Sequence, residues 1–390
     1  MKIRIQINRL IFPMVFLLSI FLHTEFASIS IFISIKHLFI LGSIGWYFFN
    51  MYRVDKLLNA IILLVILEII CSFLINNVSF INIDMLYGYM LYALPFLFDH
   101  GLFTTCIEQG AKLTFIIAFI LLVFWRYLGL FEFWNDNIIA YLYFGGINSF
   151  LFISSLEGGI KKIKHFDVST IILFLMYVMA IFTLMHTNSR NVFIAQTLVL
   201  LFYYLKKIFI NKYVYIFIAV FVVIYAAFMI VINEYVQTNR EMMNFISTLS
   251  STYFQKNTVF DGRLLIQREV LQLIHQNIFT KLLGYCSYPN ALGIATHNNF
   301  LTITYEFGFI GYILFVCFIA RILFIGYKNI KNGDNISFIS ILIIMGYLIQ
   351  LSAESFLIGN DIIVLLPYFY MGIILTRRRK YVKKKIYNLD

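Results

Sequence analysis

Apolar residues run along this chain in stretches of roughly 20, the length a helix needs to cross a hydrocarbon layer, and short polar connections separate them. The pattern predicts spans at 10–26, 29–49, 57–75, 85–98, 113–130, 138–155, 170–185, 192–205, 213–232, 298–325, 336–352 and 361–376. The expected fold class is all-α, a polytopic membrane protein with about 12 transmembrane helices. One interval breaks the rhythm. From Asn233 to Thr296 the polar residues Gln237, Asn239, Arg240, Glu241, Lys256, Asp261, Arg263, Gln267, Arg268 and Glu269 are spread through the sequence, so it is expected to face water. The chain therefore divides into transmembrane helices over 1–232, one large loop over 233–297, further transmembrane helices over 298–376 and a basic tail over 377–390.

Lysine and arginine test this division, because cytoplasmic connections carry the positive charge. One set of connections holds Lys2, Arg4 and Arg9, then Arg53 and Lys56, Lys112, Lys161, Lys162 and Lys164. The same set continues with Lys206, Lys207, Lys212, Lys328 and Lys331, and ends in the tail from Arg377 to Lys385. The short connections of the other set hold only Arg190. This places both termini in the cytoplasm and the large loop outside. The opening, Met1 to His23, is like a signal peptide but has no small-residue cleavage site, so it is expected to remain as the first helix.

Composition agrees with that class: 61% of residues are hydrophobic and only 13% charged, against about 25% charged in soluble domains. The net charge of +11 follows the membrane connections, where it suits anionic lipid, and no nucleic-acid partner is expected. Of the four cysteines, Cys71, Cys106 and Cys317 sit in or beside apolar runs and Cys286 in the loop, which implies neither a disulfide framework nor a metal site. No internal repeat is visible, so the two-half signature of many transporters is missing.

The polar residues that remain carry the candidate chemistry. Glu68 and Arg126 lie within apolar runs, where an ionisable side chain is costly and faces the bundle interior or a water-filled cavity, for structural or functional reasons. Lys36 and His37 pose the same question, although a slightly shifted span would let Lys36 snorkel. On the outer side, the turn His186-Thr187-Asn188-Ser189-Arg190-Asn191 ends in an arginine that the charge bias opposes. Arg190 suits either an anionic partner or a snorkelling position at the interface.

In the loop, Asp261-Gly262-Arg263 opens a stretch to Ile274 whose Leu264, Leu265, Val270, Leu271 and Ile274 suit a helix on or in the membrane surface. With Asp261 as its cap, Arg263 falls in the first turn, near backbone donors that favour anions, and Gln267 shares its face. Arg268 is read as a solvated partner of Glu269 or of lipid head groups.

His297 stands where the chain re-enters the membrane. A neutral imidazole there can take a proton from a sugar hydroxyl, and Asn298 and Asn299 can hold hydroxyls or the imidazole itself. Further on, Gly308 and Gly311 suit close helix packing, and Glu306, roughly opposite His297 on a helix, is expected to be structural.

These residues carry a resemblance. His297-Asn298-Asn299-Phe300-Leu301, with Glu306-Phe307-Gly308-Phe309-Ile310-Gly311 after it, is similar to the histidine motif closing the large outer loop of the O-antigen ligase and polymerase family. Ser189-Arg190 resembles that family's Ser-Arg motif, and Gly262-Arg263 its loop arginine. The resemblance runs from about Thr170 to Leu375, and the first half matches in hydropathy and span count.

It implies a bacterial inner-membrane glycosyltransferase that moves glycans from an undecaprenyl-diphosphate carrier without nucleotide sugar, cofactor or metal. Arg190 and Arg263 would hold the diphosphate and His297 would activate the acceptor hydroxyl, with inversion at the anomeric carbon. A polymerase of O-antigen, capsule or exopolysaccharide repeat units is the first expectation, with a flippase and a chain-length regulator as partners. A ligase acting on a lipid, polymer or protein acceptor is the second, and a lipid-linked oligosaccharide flippase or other transporter the alternative from another class.

Overall fold

The computed structural model describes residues 2–21, 30–76, 92–128, 136–156, 168–185, 190–206, 270–285, 298–351 and 365–387, and every regular element among them is helical. Helices α1 (Lys2–Phe21) and α2 (Ser30–Asn50) lead through a 3-10 turn at Met51–Arg53 into α3 (Lys56–Asn76). A short helical run at 92–97 precedes α4 (Gly101–Leu128), α5 (Asp136–Ile147), α6 (Phe150–Leu156), α7 (Val168–Met185) and α8 (Arg190–Tyr204). Within the expected loop lie a helical run at 270–274 and α9 (Ile278–Leu283). Then come α10 (Asn299–Lys331), α11 (Asn335–Leu351) and α12 (Leu365–Tyr387).

The faces of α3 show the solvent this fold is made for. Leu58, Ile62, Val65 and Ile69 are buried against the bundle, while Leu63, Leu64, Leu67 and Leu74 on the other side are 45–63% exposed. A helix apolar on its open face as well as its packed face matches lipid better than water. By length and hydropathy, Gly101–Arg126 and Asn299–Lys331 can cross a membrane, and shorter apolar helices such as Ile171–Leu184 and Asn335–Leu351 stand beside them.

In the bundle α1 lies along α4, which packs on α5, α6 and α7. Helix α8 lies along α11, and α10 packs against α3, α11 and α12. Aromatic rings fill the contacts: Phe12 stacks on Phe369 at 5.1 Å and Phe150 on Tyr177 at 4.4 Å.

Several expectations change. The predicted span at 138–155 is interrupted at Asn148 and Ser149, between α5 and α6. The break is tolerable inside the bundle because its polar groups are satisfied locally. Asn148 Nδ2 donates to the Phe144 carbonyl at 2.9 Å, and the Ser149 hydroxyl donates to the Gly146 carbonyl at 2.6 Å. Asn148 and Gln196 also exchange amide hydrogen bonds at 2.9 and 3.1 Å, and the Tyr177 hydroxyl donates to Asn148 Oδ1 at 3.0 Å. This buried network ties α7 and α8 to the α5–α6 turn. Removing its hydroxyl with Tyr177→Phe should cost about 0.5–1.5 kcal/mol, and Asn148→Leu, which takes the donor from the buried Gln196 amide oxygen and leaves Gln196 Nε2 only the Tyr177 hydroxyl at 3.3 Å, about 2–4 kcal/mol. Thermal unfolding in detergent checks the order, and equal costs would reject the network as a unit.

Arg126 is exposed in the last turn of α4, so the expectation that it faces the interior is corrected: the helix ends two residues later and lets its side chain out. Helix α12 runs on to Tyr387, so the first part of the basic tail continues a helix. Its Arg377 is tied down, with Nε 3.0 Å from both Asp334 carboxylate oxygens. The span predicted at 213–232 and the side chains of Lys36 and His37 lie outside the described residues.

At the end of the bundle where α3 and α11 begin, two aspartates do matching work. Asp55 accepts from the Leu58 amide at 3.3 Å, capping α3, and pairs in a two-pronged contact with Arg321 of α10 at 2.9 Å per bond. Asp334 accepts from the Ser337 hydroxyl at 2.6 Å, at the start of α11, and pairs with Arg377 of α12. Nearby, Lys206 donates to Asn335 Oδ1. Burial holds this lysine below the usual range, against the pull of the Asp334 carboxylate.

Asp55→Ala removes both the cap and the ion partner of a largely buried Arg321, and should cost about 2–4 kcal/mol. Asp55→Asn keeps the cap, so it should fall between Ala and wild type. If Asn and Ala melt alike in detergent, the capping contribution is refuted.

Candidate functional site

The sequence points to the outer end of the bundle, where the loop returns to the membrane. Asn298 starts α10: its side-chain oxygen accepts from the amides of Phe300 and Leu301 at 3.0 and 3.2 Å. Four residues on, α10's own hydroxyls turn inward, with Thr302 and Thr304 donating to carbonyls of the preceding turn.

The expectation of one continuous span over 298–325 is corrected at Gly308, whose φ of 66° and ψ of −172° break the helix. The break is sharp. Phe300 and Phe315 would be about 22 Å apart along a straight helix, yet their ring centroids lie 6.3 Å apart, with Tyr312 at 6.4 Å. Residues 299–307 thus form an arm folded back on the rest of α10. Gly308 and Gly311 do serve close packing, as expected, but at a bend rather than along a helix.

Loop backbone locks that bend. A Cβ on Gly308 would lie 2.2 Å from the Leu282 carbonyl oxygen, and one on Gly284 would lie 2.2 Å from the Glu306 carbonyl oxygen. The two glycines, both at positive φ, let the end of α9 and the root of the arm meet backbone to backbone. Around them the Tyr285 amide donates to the Tyr305 carbonyl at 2.8 Å, and the two tyrosine rings stack at 4.7 Å. The Ser72 hydroxyl on α3 donates to the Leu283 carbonyl at 2.6 Å. One turn below Ser72, Glu68 is 5% exposed, and its carboxyl oxygens have no hydrogen-bond partner among the described residues.

The helical run at 270–274 packs on the arm. Val270, Ile274, Leu301 and Tyr305 form a small apolar cluster apart from the main core, with Val270 and Ile274 fully buried. This changes the expectation for the Leu264–Ile274 stretch: the described part of its apolar face meets protein, not lipid.

Of the expected site residues, Arg263, Gln267 and His297 lie outside the described residues, as do Asp261 and Ser189. Arg190 is the first residue of α8, where a helix leaves its first backbone N–H groups unpaired, and its side chain is not among those described. Asn298 is committed through its carbonyl oxygen to the start of the arm, and Asn299 is fully buried. Glu306 is buried at 6% exposure. Among the described residues no group of three His, Cys, Asp or Glu could hold a metal ion. Sequence reasoning missed Ser72, Gly284 and Tyr285. The only signals were a glycine ending a short apolar helix and a serine inside an apolar run.

Residues 175–316 match a family model described as O-antigen ligase. The match is shorter than the resemblance read from the motifs, which extends to Leu375. It takes in α7 from its eighth residue, α8, the loop and the whole arm with its bend. No curated protein matches the chain.

Proposed function

We propose that this chain is an O-antigen ligase/polymerase-type membrane enzyme, as the match over residues 175–316 supports, and that it polymerises undecaprenyl-diphosphate-linked repeat units of a surface polysaccharide at the outer face of the bacterial inner membrane. Both termini are cytoplasmic in this reading. Arg190 and Arg263 hold the carrier diphosphate through paired, charge-assisted hydrogen bonds and stabilise it as it leaves. Gln267, on the face of Arg263, meets the same carrier or its first sugar.

The acceptor hydroxyl gives its proton to His297, and its oxygen attacks the anomeric carbon. The bond from that carbon to the diphosphate oxygen breaks, and the electron pair leaves with the polyprenyl diphosphate. Displacement in line inverts the anomeric centre, and charge stabilisation comes from the two guanidiniums without a metal.

One packing observation carries this reading. Val270 and Leu301 share a cluster, and in the sequence Val270 follows Arg263 and Gln267 closely while Leu301 follows His297. The arm and the loop helix that flank the proposed groups are thus held together by buried side chains. Asn298 contributes by fixing the chain just after His297 in the sequence, and Asn299 by holding an acceptor hydroxyl or the imidazole.

The ligase is the second reading, favoured by the description of the matching family. Purified protein in proteoliposomes separates the two. Given lipid-linked repeat units alone, a polymerase lengthens them, whereas a ligase forms product only when a second acceptor is added. No transfer under either condition would reject both and leave a transporter, which would move the same lipid-linked saccharide between leaflets without forming a bond.

A further inference from the structure

The hairpin at 270–285 has two unlike sides. Its corner is polar and open, with Gln272, His275, Gln276 and Asn277 all exposed. Its second limb, α9, is not: Ile278, Phe279 and Leu282, at i, i+1 and i+4, present one apolar face that is 61%, 54% and 41% exposed. The limb is rigidly made. Asn277 caps it by accepting from the Phe279 amide at 2.9 Å, and the Gly284 amide closes it on the Thr280 carbonyl at 2.9 Å.

Its apolar face therefore belongs to the folded shape. It also joins an open apolar surface of the bundle. Leu283 is hydrogen-bonded to Ser72 of α3, and Leu282 lies against Gly308 of α10. The neighbouring residues on those helices are also open and apolar, Leu74 and Ile75 on α3 at 63% and 45%, and Phe309, Ile310 and Ile313 on α10 at 36%, 38% and 56%.

We infer that α9 is a membrane-seated peg whose Ile278, Phe279 and Leu282 sit among the acyl chains of the outer leaflet, while the corner at 272–277 stays in the aqueous layer. Amphipathic segments of this kind settle at the boundary between head groups and chains. The peg is welded to the arm by the packing of Gly308 on Leu282 and of Gly284 on Glu306, and by the Tyr285–Tyr305 stack, so it sets the depth of the arm relative to the bilayer. The inference concerns where the hairpin sits, and holds whether the protein is a polymerase, a ligase or a transporter.

Site-directed fluorescence in proteoliposomes tests it without reference to activity. In full-length protein whose four native cysteines are replaced, single cysteines at Phe279, Leu282, Gln272 and Gln276 are labelled with an environment-sensitive dye. Phosphatidylcholine carrying a doxyl group near the head of its acyl chain is then compared with aqueous iodide as quencher. Labels at 279 and 282 should emit at shorter wavelength, lose fluorescence to doxyl lipid and resist iodide, and those at 272 and 276 should do the reverse. Iodide quenching at both 279 and 282 would overturn the inference by placing α9 in water. Protection of both from either quencher would also overturn it, by giving the face to a second copy or another protein.

Discussion

Alanine at position 308 should unfold the arm and the hairpin packed on it while leaving the rest of the bundle in place. Gly308 combines a φ of 66° with a ψ of −172°, a conformation essentially reserved for glycine, and side-chain residues there carry about 1–3 kcal/mol of strain. The larger difficulty is space. The new methyl carbon would sit 2.2 Å from the Leu282 carbonyl oxygen and 2.4 Å from the Leu283 nitrogen, and neither backbone atom can rotate away. Relief requires the end of α9 to lift, which breaks the Ser72 to Leu283 and Tyr285 to Tyr305 hydrogen bonds.

Strain and overpacking together come to about 2–6 kcal/mol. Gly333 is the internal control: its φ is +83°, but nothing lies within 4 Å of an added Cβ, so Gly333→Ala should cost only about 1–2 kcal/mol. Thermal unfolding in detergent compares the two, and protease cleavage near residue 285 reports the lifted hairpin. If Gly308→Ala melts no lower than Gly333→Ala, the interlock of loop and arm is not real.

That bend marks the limit of what hydropathy could reveal. Among the described residues, the runs predicted at 29–49, 57–75, 170–185, 192–205 and 336–352 coincide with α2, α3, α7, α8 and α11, because a run of apolar residues flanked by polar ones constrains both ends of a helix. Gly308 stands at the start of an apolar run, two residues after Glu306, and a lone glycine there reads as a packing residue. What bends the helix is the backbone of Leu282 and Leu283, which no local pattern announces.

The same holds for Asp55 and Arg321, 266 positions apart. Arg321 lay inside a predicted span and its partner in a short connection. Glu68 and Arg126 looked alike in sequence as charges inside apolar runs, but α3 continues for two turns past Glu68 while α4 ends just after Arg126, and distance from the helix end decided which became buried. In the candidate site the motifs single out Arg190, Arg263 and His297. They could not say that Asn298 spends its oxygen on a helix cap, because a cap exists only once the helix has been placed.

Replacing His297 with alanine should produce the greatest functional loss. In the proposed reaction the acceptor is a sugar hydroxyl, too weakly acidic to attack unless its proton is taken as the bond forms, and a positioned base is worth about 10²–10⁴-fold in rate. His297→Ala should therefore lower turnover by that factor in the proteoliposome assay while leaving KM for the lipid-linked donor nearly unchanged, since the proposal gives the diphosphate to the arginines. The pH profile distinguishes a base from a packing residue. Only the neutral imidazole accepts a proton, so wild-type turnover should fall on acidification, and the residual activity of the variant should lack that acid limb.

Arg263→Lys supplies the complementary test. It keeps the charge but loses the two-pronged geometry, and should cost about 10- to 100-fold in kcat/KM with the acid limb intact. A His297→Ala protein with wild-type turnover would remove the imidazole from the mechanism. An Arg263→Lys protein with wild-type kcat/KM would reduce that arginine to a diffuse attraction for the carrier.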